Sequence, residues 1–164
     1  MTLRIVVMGV AGSGKSSLAA PLAASLGARL VEADDLHPPA NIAKMSEGIP
    51  LTDDDRRPWL DLVAEELTRA PVVATCSALR RAYRDRLRRP GNVRFVHLET
   101  DEATALDRLE RRHDHFMGPE MVRSQFAALE APADDEHDIV VLDATAAVEA
   151  NVASALRALH PDVG

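Results

Sequence analysis

The sequence predicts an α/β domain with a five-stranded parallel sheet covered by helices. Three observations predict it. Short apolar or β-branched runs alternate with longer stretches of helical periodicity along the chain, as strand–helix–strand units do. The run Pro71-Val72-Val73-Ala74-Thr75-Cys76 stays apolar without alternation, as a strand buried on both faces requires. A glycine-rich turn, Gly9 to Ser16, separates the first apolar run from the first helical stretch.

Taken in order, Leu3 to Met8 reads as the first strand and Ser17 to Leu26 as the first helix. Arg29 to Ala33 is a second short strand, running into Asp34 and Asp35. Pro38 and Pro39 open a helix over Ala40 to Glu47, which Gly48 ends. Ile49-Pro50-Leu51 connects to a helix from about Asp55 to Arg69, capped by Thr52 or Asp53. After the strand at 71–76, Ser77 is placed to cap a helix reaching Arg89, where Pro90-Gly91 stops it. Asn92 to Leu98 is the fourth strand, followed by a helix over Asp101 to Arg112 and a loop from His113 to Gly118. Pro119 to Glu130 is helical, Pro132 to Asp138 is an acidic loop, Ile139 to Leu142 is the fifth strand, and Ala144 to Leu159 is the closing helix.

At 164 residues and 46% hydrophobic composition, the chain suits one domain (1–164) with a substantial core. A formal net charge of −7 argues against a nucleic-acid partner. The lone cysteine, Cys76, excludes a disulfide framework, and no leader or membrane-length apolar run is visible. The expectation is a soluble, cytoplasmic protein.

The turn Gly9-Val10-Ala11-Gly12-Ser13-Gly14-Lys15-Ser16 fits G-x-x-x-x-G-K-[ST], in the strand–loop–helix context this motif needs. Its amides, with the N-terminus of the next helix, form a cradle for phosphate oxygens. Gly9 to Ser16, together with Ser17, are therefore expected to bind a nucleotide, Lys15 at its outer phosphates and Ser16 on Mg²⁺. In a parallel sheet the acceptor side lies beyond the strand ends. There Glu32 and Asp34 alternate and are expected to share one side of the strand. Asp34 is a candidate to take the proton of an attacking hydroxyl, and Glu32 to hold water on Mg²⁺; solvation of a strand end is the plainer alternative. His37 is open between contact with an acceptor and a simple helix start.

Six arginines (Arg80, Arg81, Arg84, Arg86, Arg88, Arg89) share one helix with Asp85 alone against them. Arg80, Arg81 and Arg84, on its first turns, are candidates to meet an anionic substrate; Arg86, Arg88 and Arg89 read as surface. Tyr83, the one tyrosine, is open between core, interface and substrate contact. Arg108, Arg111 and Arg112 cluster on the side of a helix that runs into a polar loop, as a lid over phosphates requires, although a charged helix exit would look the same. That lid would span about 108–124. His113 and His115 have ligand-like spacing but no companions, and no zinc site is expected. The acid-ended strand of motor ATPases and the guanine-specificity patterns are absent from the sequence.

From Asp34-Asp35-Leu36-His37-Pro38, the run Asn41-Ile42-Ala43-Lys44-Met45-Ser46-Glu47-Gly48-Ile49-Pro50-Leu51-Thr52-Asp53-Asp54-Asp55-Arg56-Arg57-Pro58-Trp59-Leu60 and Cys76-Ser77-Ala78-Leu79-Arg80-Arg81-Ala82-Tyr83-Arg84-Asp85, the chain resembles the gluconate kinases. His115-Phe116, Ser124-Gln125-Phe126 and Leu129-Glu130-Ala131-Pro132 continue the likeness, which extends from Gly9 to about Asp143. The resemblance implies a nucleoside-monophosphate-kinase-like fold with a mobile lid, and ATP- and Mg²⁺-dependent phosphorylation of D-gluconate at its 6-hydroxyl. It also implies a homodimer. It makes Asp34 the base or hydroxyl-positioning residue and Lys44, Arg56, Arg80, Arg84 and Gln125 acceptor-binding candidates, beside which His37 stands on its position alone. Lys15 and Ser16 become phosphate and Mg²⁺ contacts; with Lys15, the lid reading makes Arg111 and Arg112 catalytic candidates and Arg108 a nucleotide contact. Ala33, where the family commonly has glycine, is expected to crowd the acceptor pocket. The alternatives are another small hydroxy-acid kinase, such as a shikimate kinase, and a nucleotide-binding regulator that transfers no phosphate.

Overall fold

The computed structural model describes residues 3–112 and 119–159, the side chain of Arg112 excepted. The expected strands form one parallel sheet: β1 (Arg4–Met8), β2 (Arg29–Glu32), β3 (Val72–Thr75), β4 (Val93–Glu99) and β5 (Ile139–Asp143), in spatial order β2-β3-β1-β4-β5. β1 is central, with Val6 opposite Ala74 on one side and Phe95 on the other. The chain first leaves β1 toward β2 and later crosses from β3 to β4. The crevice at the carboxyl end of β1 therefore lies where the winding reverses.

Alternation along the central strand sorts the core into two layers. Ile5 and Val7 pack with Leu18, Ala19 and Leu22 of α1 (Lys15–Leu26) and with Ala155 and Leu159 of α7 (Val148–Leu159). Val6 and Met8 face the opposite layer. It is built from α3 (Asp53–Leu67), α4 (Arg81–Leu87), α5 (Glu102–Arg112) and α6 (Pro119–Ala128), with Trp59, Val63, Leu67, Leu87, Leu109 and Val122 buried in it. α2 (Pro39–Ser46) opens on a proline, as expected, and α3 is capped by Thr52 in a reciprocal capping box with Asp55.

Three elements depart from the sequence reading. The closing helix begins at Val148 rather than Ala144, after a turn in which Thr145 N donates to Asp143 Oδ1 at 2.8 Å. Residues Ala33–Leu36 form a 3₁₀ turn after β2, so Glu32 and Asp34 do not alternate on one extended strand. The helix expected from Ser77 begins only at Arg81, because tertiary contacts hold the intervening loop. Gly9 N donates to Ser77 O at 3.3 Å, Glu130 N donates to Leu79 O at 2.7 Å, and Ala78 has a positive φ of 49°.

That shift also redirects the arginines. Arg84, fully buried, makes a two-pronged ion pair with Glu136, Nε and Nη2 each at 2.8 Å, while its Nη1 donates to Ala78 O at 3.0 Å. Arg81 grips Asp135 at 2.7 and 2.8 Å, and Arg88 binds Asp138 at 2.7 Å and Glu136 at 2.7 Å. The arginine-rich helix and the acidic loop thus satisfy each other. The guanidinium of Arg84 holds the Glu136 carboxyl well below the usual carboxylate range.

His97 lies in the same core, on β4 beside Met8, only 3% exposed, and its Nδ1 has no hydrogen-bond partner among the described residues. Burial first, then the charges of Arg84 and Lys15, push its pKa down to about 4. The unfolded chain binds that proton near pH 6.5, so the stability is complete above 6.5 and lost as pH falls toward 4. The loss by pH 4 amounts to about 3 kcal/mol. Denaturant titrations of wild type and His97→Leu between pH 7 and 4 should show the wild type losing that much more stability than the variant.

Candidate active site

The glycine-rich turn wraps the start of α1 as the motif requires. Gly14 is the N-cap in the left-handed region (φ 93°). Gly12 also has positive φ, 83°, and a Cβ there would come within 2.5 Å of the Ala105 carbonyl oxygen on α5. Only glycine lets α5 sit this close to the loop. Lys15 Nζ folds back over the turn, donating to Gly9 O at 3.0 Å and Val10 O at 3.1 Å. Gln125 Oε1 accepts from Ala11 N at 2.7 Å, which ties α6 to the same loop.

From Lys15 and Ser16 a cavity of about 510 Å³ runs to Glu32, Asp34, His37, Arg56 and Trp59, and is bounded across by Met121, Ser124 and Gln125. Glu32 Oε2 accepts from Ser16 Oγ at 3.0 Å and from Thr75 Oγ1 at 2.6 Å. Three oxygen-bearing side chains therefore meet at the head of α1, the donor type a hard cation takes. Among the described residues, no group of three or more His, Cys, Asp or Glu side chains converges as metal ligands. An ion at Ser16 would accordingly take most of its ligands from phosphates and water.

Asp34 leaves the 3₁₀ turn with its side chain 85% exposed, lying 3.9 Å from His37 Nε2. His37 is stacked on Trp59 (4.1 Å between centroids, 15° between planes), and Trp59 is pinned by donating from Nε1 to Ala33 O at 2.7 Å. Asn41 Nδ2 donates to Asp55 O at 3.0 Å and faces His37 Nδ1 at 3.2 Å. That makes Nδ1 the acceptor and leaves the proton on Nε2, toward Asp34. Burial lowers the His37 pKa despite Asp34, so the ring is neutral at pH 7. His37 is thus a wall and support of the site rather than a helix start. Cys76 also lines the cavity, but burial pushes its thiol up to about 12, far from a nucleophilic thiolate.

The expected acceptor-side cations divide sharply. Arg56 lines the cavity. Lys44 does not; it pairs with Asp55 at 2.7 Å. Arg80 is exposed at the N-cap of α4 and lies outside the lining, and Arg84 is sealed against Glu136. Of the three, Arg84 is withdrawn from the acceptor side, because Glu136, distant along the chain, takes its guanidinium. Ala33, fully buried, is absent from the lining and does not crowd the pocket.

A second cavity, of about 270 Å³, opens on the other flank of the loop, between Ser13, Gly14, Ser17, Arg108, Arg111, Ala144 and Asn151. Arg108 spans its wall, donating to Ser13 O at 2.9 Å and Ala144 O at 2.7 Å. Arg111 pairs with Asp107 at 3.2 Å on the exposed face of α5. The Arg112 side chain, His113, His115 and Phe116 lie outside the described residues, as does the middle of the expected lid. Sequence reasoning gave no role to Trp59, Thr75 or Asn41. Trp59 and Asn41 were visible only as members of a recognisable run, and Thr75 gave no signal.

A family model described as an AAA domain matches residues 5–135. A gluconokinase of Gluconobacter oxydans (strain 621H) is 49% identical over 138 residues, 80% of this chain and 78% of that protein. An unliganded sugar kinase from Janibacter sp. HTCC2649 superposes with a TM-score of 0.91 at 44% identity, over 97% of this chain and 95% of the other. A gluconokinase from Sinorhizobium meliloti 1021 superposes with a TM-score of 0.85 at 42% identity, over 99% and 98%. A shikimate kinase from Aquifex aeolicus vf5, at 19% identity and a TM-score of 0.57 over 98% of each chain, shares the fold alone.

Proposed function

The chain belongs to the gluconokinase family of phosphate-loop kinases, and from that premise we propose that it transfers the γ-phosphoryl group of ATP to the 6-hydroxyl of D-gluconate. The observation that carries this reading is a single cavity joining Lys15 and Ser16 to Asp34 and Arg56. Phosphoryl transfer needs positioned reactants and charge stabilisation, and this cavity supplies groups for both.

The amides of Val10 to Lys15 and the N-terminus of α1 hold the donor phosphates, with Lys15 turning from the loop carbonyls to the outer ones. Ser16 would hold Mg²⁺, with Glu32 holding water on it, and the ion would supply charge neutralisation. The second cavity, with Ser17 and Arg108 on its wall, suits the nucleoside end of ATP. On the acceptor side Arg56 pairs with the carboxylate, and Gln125 joins the acceptor region to the loop. Asp34 accepts the proton of the 6-hydroxyl as its oxygen bonds to the γ-phosphorus. The bond from that phosphorus to the β–γ bridging oxygen breaks, and ADP leaves with the electron pair. Arg111 and Arg112, on a lid over about 108–124, neutralise charge as it closes.

We also read 1–164 as one kinase domain that works as a cytoplasmic homodimer. The lone buried Cys76 supports a reducing compartment, and no described helix is long and apolar enough to cross a membrane. The homodimer rests on the family resemblance. Identification of the product by ¹³C and ³¹P NMR tests the reaction: a phosphorus coupling at C6 is expected, and phosphate on any other carbon contradicts the assignment of Asp34 to the 6-hydroxyl.

A further inference from the structure

Arg56 lines the cavity, and one end of its guanidinium is restrained. Its Nη1 donates to Leu51 O at 2.8 Å and to the Tyr83 hydroxyl at 3.1 Å. The Tyr83 hydroxyl in turn donates to Asp53 Oδ1. A phenol has one proton, so once Asp53 takes it the oxygen can only accept from Arg56. The Tyr83 ring adds a face contact, with Arg56 Cζ 5.3 Å from its centroid. Among the described residues Nε and Nη2 of Arg56 have no protein partner, which leaves the planar side of the fork to receive a carboxylate with two parallel hydrogen bonds.

Tyr83 is 5% exposed on the first turn of α4, and Asp53 is the first residue of α3. The pair therefore couples two helices to the aim of one side chain. Asp53 is held below the usual carboxylate range chiefly by its hydrogen bond from Tyr83, and burial followed by Asp53 raises the Tyr83 phenol. Both groups thus keep the protonation states this chain of bonds requires at neutral pH.

We propose that Tyr83, with its proton fixed by Asp53, is a positioning residue that holds Arg56 in the orientation that binds the acceptor's carboxylate. The inference rests on the reading of Arg56 as carboxylate anchor. Tyr83 does not line the cavity and acts through Arg56 alone.

The test is steady-state kinetics of the full chain as wild type, Tyr83→Phe, Asp53→Ala, Asp53→Asn, Arg56→Gln and the Tyr83→Phe/Arg56→Gln double variant. Tyr83→Phe keeps the ring and removes only the hydroxyl. It should raise KM for gluconate about fivefold to tenfold, the net effect of one ordinary intramolecular hydrogen bond. kcat and KM for ATP should stay within about twofold, since neither depends on that bond. Asp53→Ala, at an exposed position, should reproduce the KM effect, and Asp53→Asn, which can still accept from the phenol, should restore it. In the Arg56→Gln background Tyr83→Phe should add nothing. An unchanged KM in both Tyr83→Phe and Asp53→Ala, with Arg56→Gln strongly impaired, overturns the positioning role and leaves the anchor standing. An unchanged KM in Arg56→Gln overturns the anchor itself. A Tyr83→Phe effect of equal size in the Arg56→Gln background, or a fall in kcat without a rise in KM, shows that Tyr83 acts by another route.

Discussion

Asp34→Asn should lower kcat for gluconate phosphorylation by about 10²- to 10⁴-fold, the range for loss of a positioned general base. The Kd for ATP should stay within about twofold, because Asp34 lies on the 3₁₀ turn beyond β2 and not on the loop that holds phosphates. The substitution is nearly isosteric, and the side chain it replaces is exposed to the cavity, so folding is not at stake. The neutral amide keeps a hydrogen-bonding group at the same place but cannot take a proton. Stopped-flow or quench measurement of a single turnover, beside nucleotide binding by calorimetry, separates the two quantities. Equal single-turnover rates would remove Asp34 from the chemistry and leave it a solvated end of β2.

Lys15→Ala should damage both halves of the reaction: weaker ATP binding together with a kcat lowered by about 10²- to 10³-fold, as for other groups aimed at developing charge. Lys15 is the first residue of α1 and its ammonium lies across the loop carbonyls of Gly9 and Val10. It is therefore poised over the concavity that the amides of the turn define. Because the stem leaves the helix at its N-terminus, its loss also removes a charge from where the helix dipole favours anions. The readouts are Kd for ATP by calorimetry and kcat at saturating nucleotide. Unaltered ATP affinity in the variant would contradict the assignment of the loop as the phosphate cradle.

The parts of this molecule that sequence made legible are those whose causes are local. The phosphate loop is one contiguous string, and its glycines are demanded by backbone angles at Gly12 and Gly14. β1 and β3 were readable because burial on both faces makes each a short apolar run, and Thr52 announced the start of α3. What escaped was decided by pairs distant along the chain. Arg84 and the acidic loop are each conspicuous in the sequence, yet only the fold sets Arg84 against Glu136 and so takes it away from the substrate. The stacking of His37 on Trp59 is also set by the fold. The late start of α4 is likewise tertiary: contacts from Gly9 and Glu130 outbid the capping tendency of Ser77. Asp34 reached the cavity for a reason other than strand alternation, through a turn of 3₁₀ helix that apolar periodicity does not reveal.

The most direct measurement of the central claim is ADP release from ATP and Mg²⁺ by the purified chain, with D-gluconate, shikimate, glycerate or water alone as acceptor. Turnover with gluconate well above the other three is the predicted result. It would follow from Arg56 receiving the carboxylate while Asp34 meets the far hydroxyl. Turnover with another acid but not with gluconate would keep the phosphate loop and Asp34 and contradict the acceptor assignment. ATP binding without transfer to any acceptor would contradict the kinase reading as a whole.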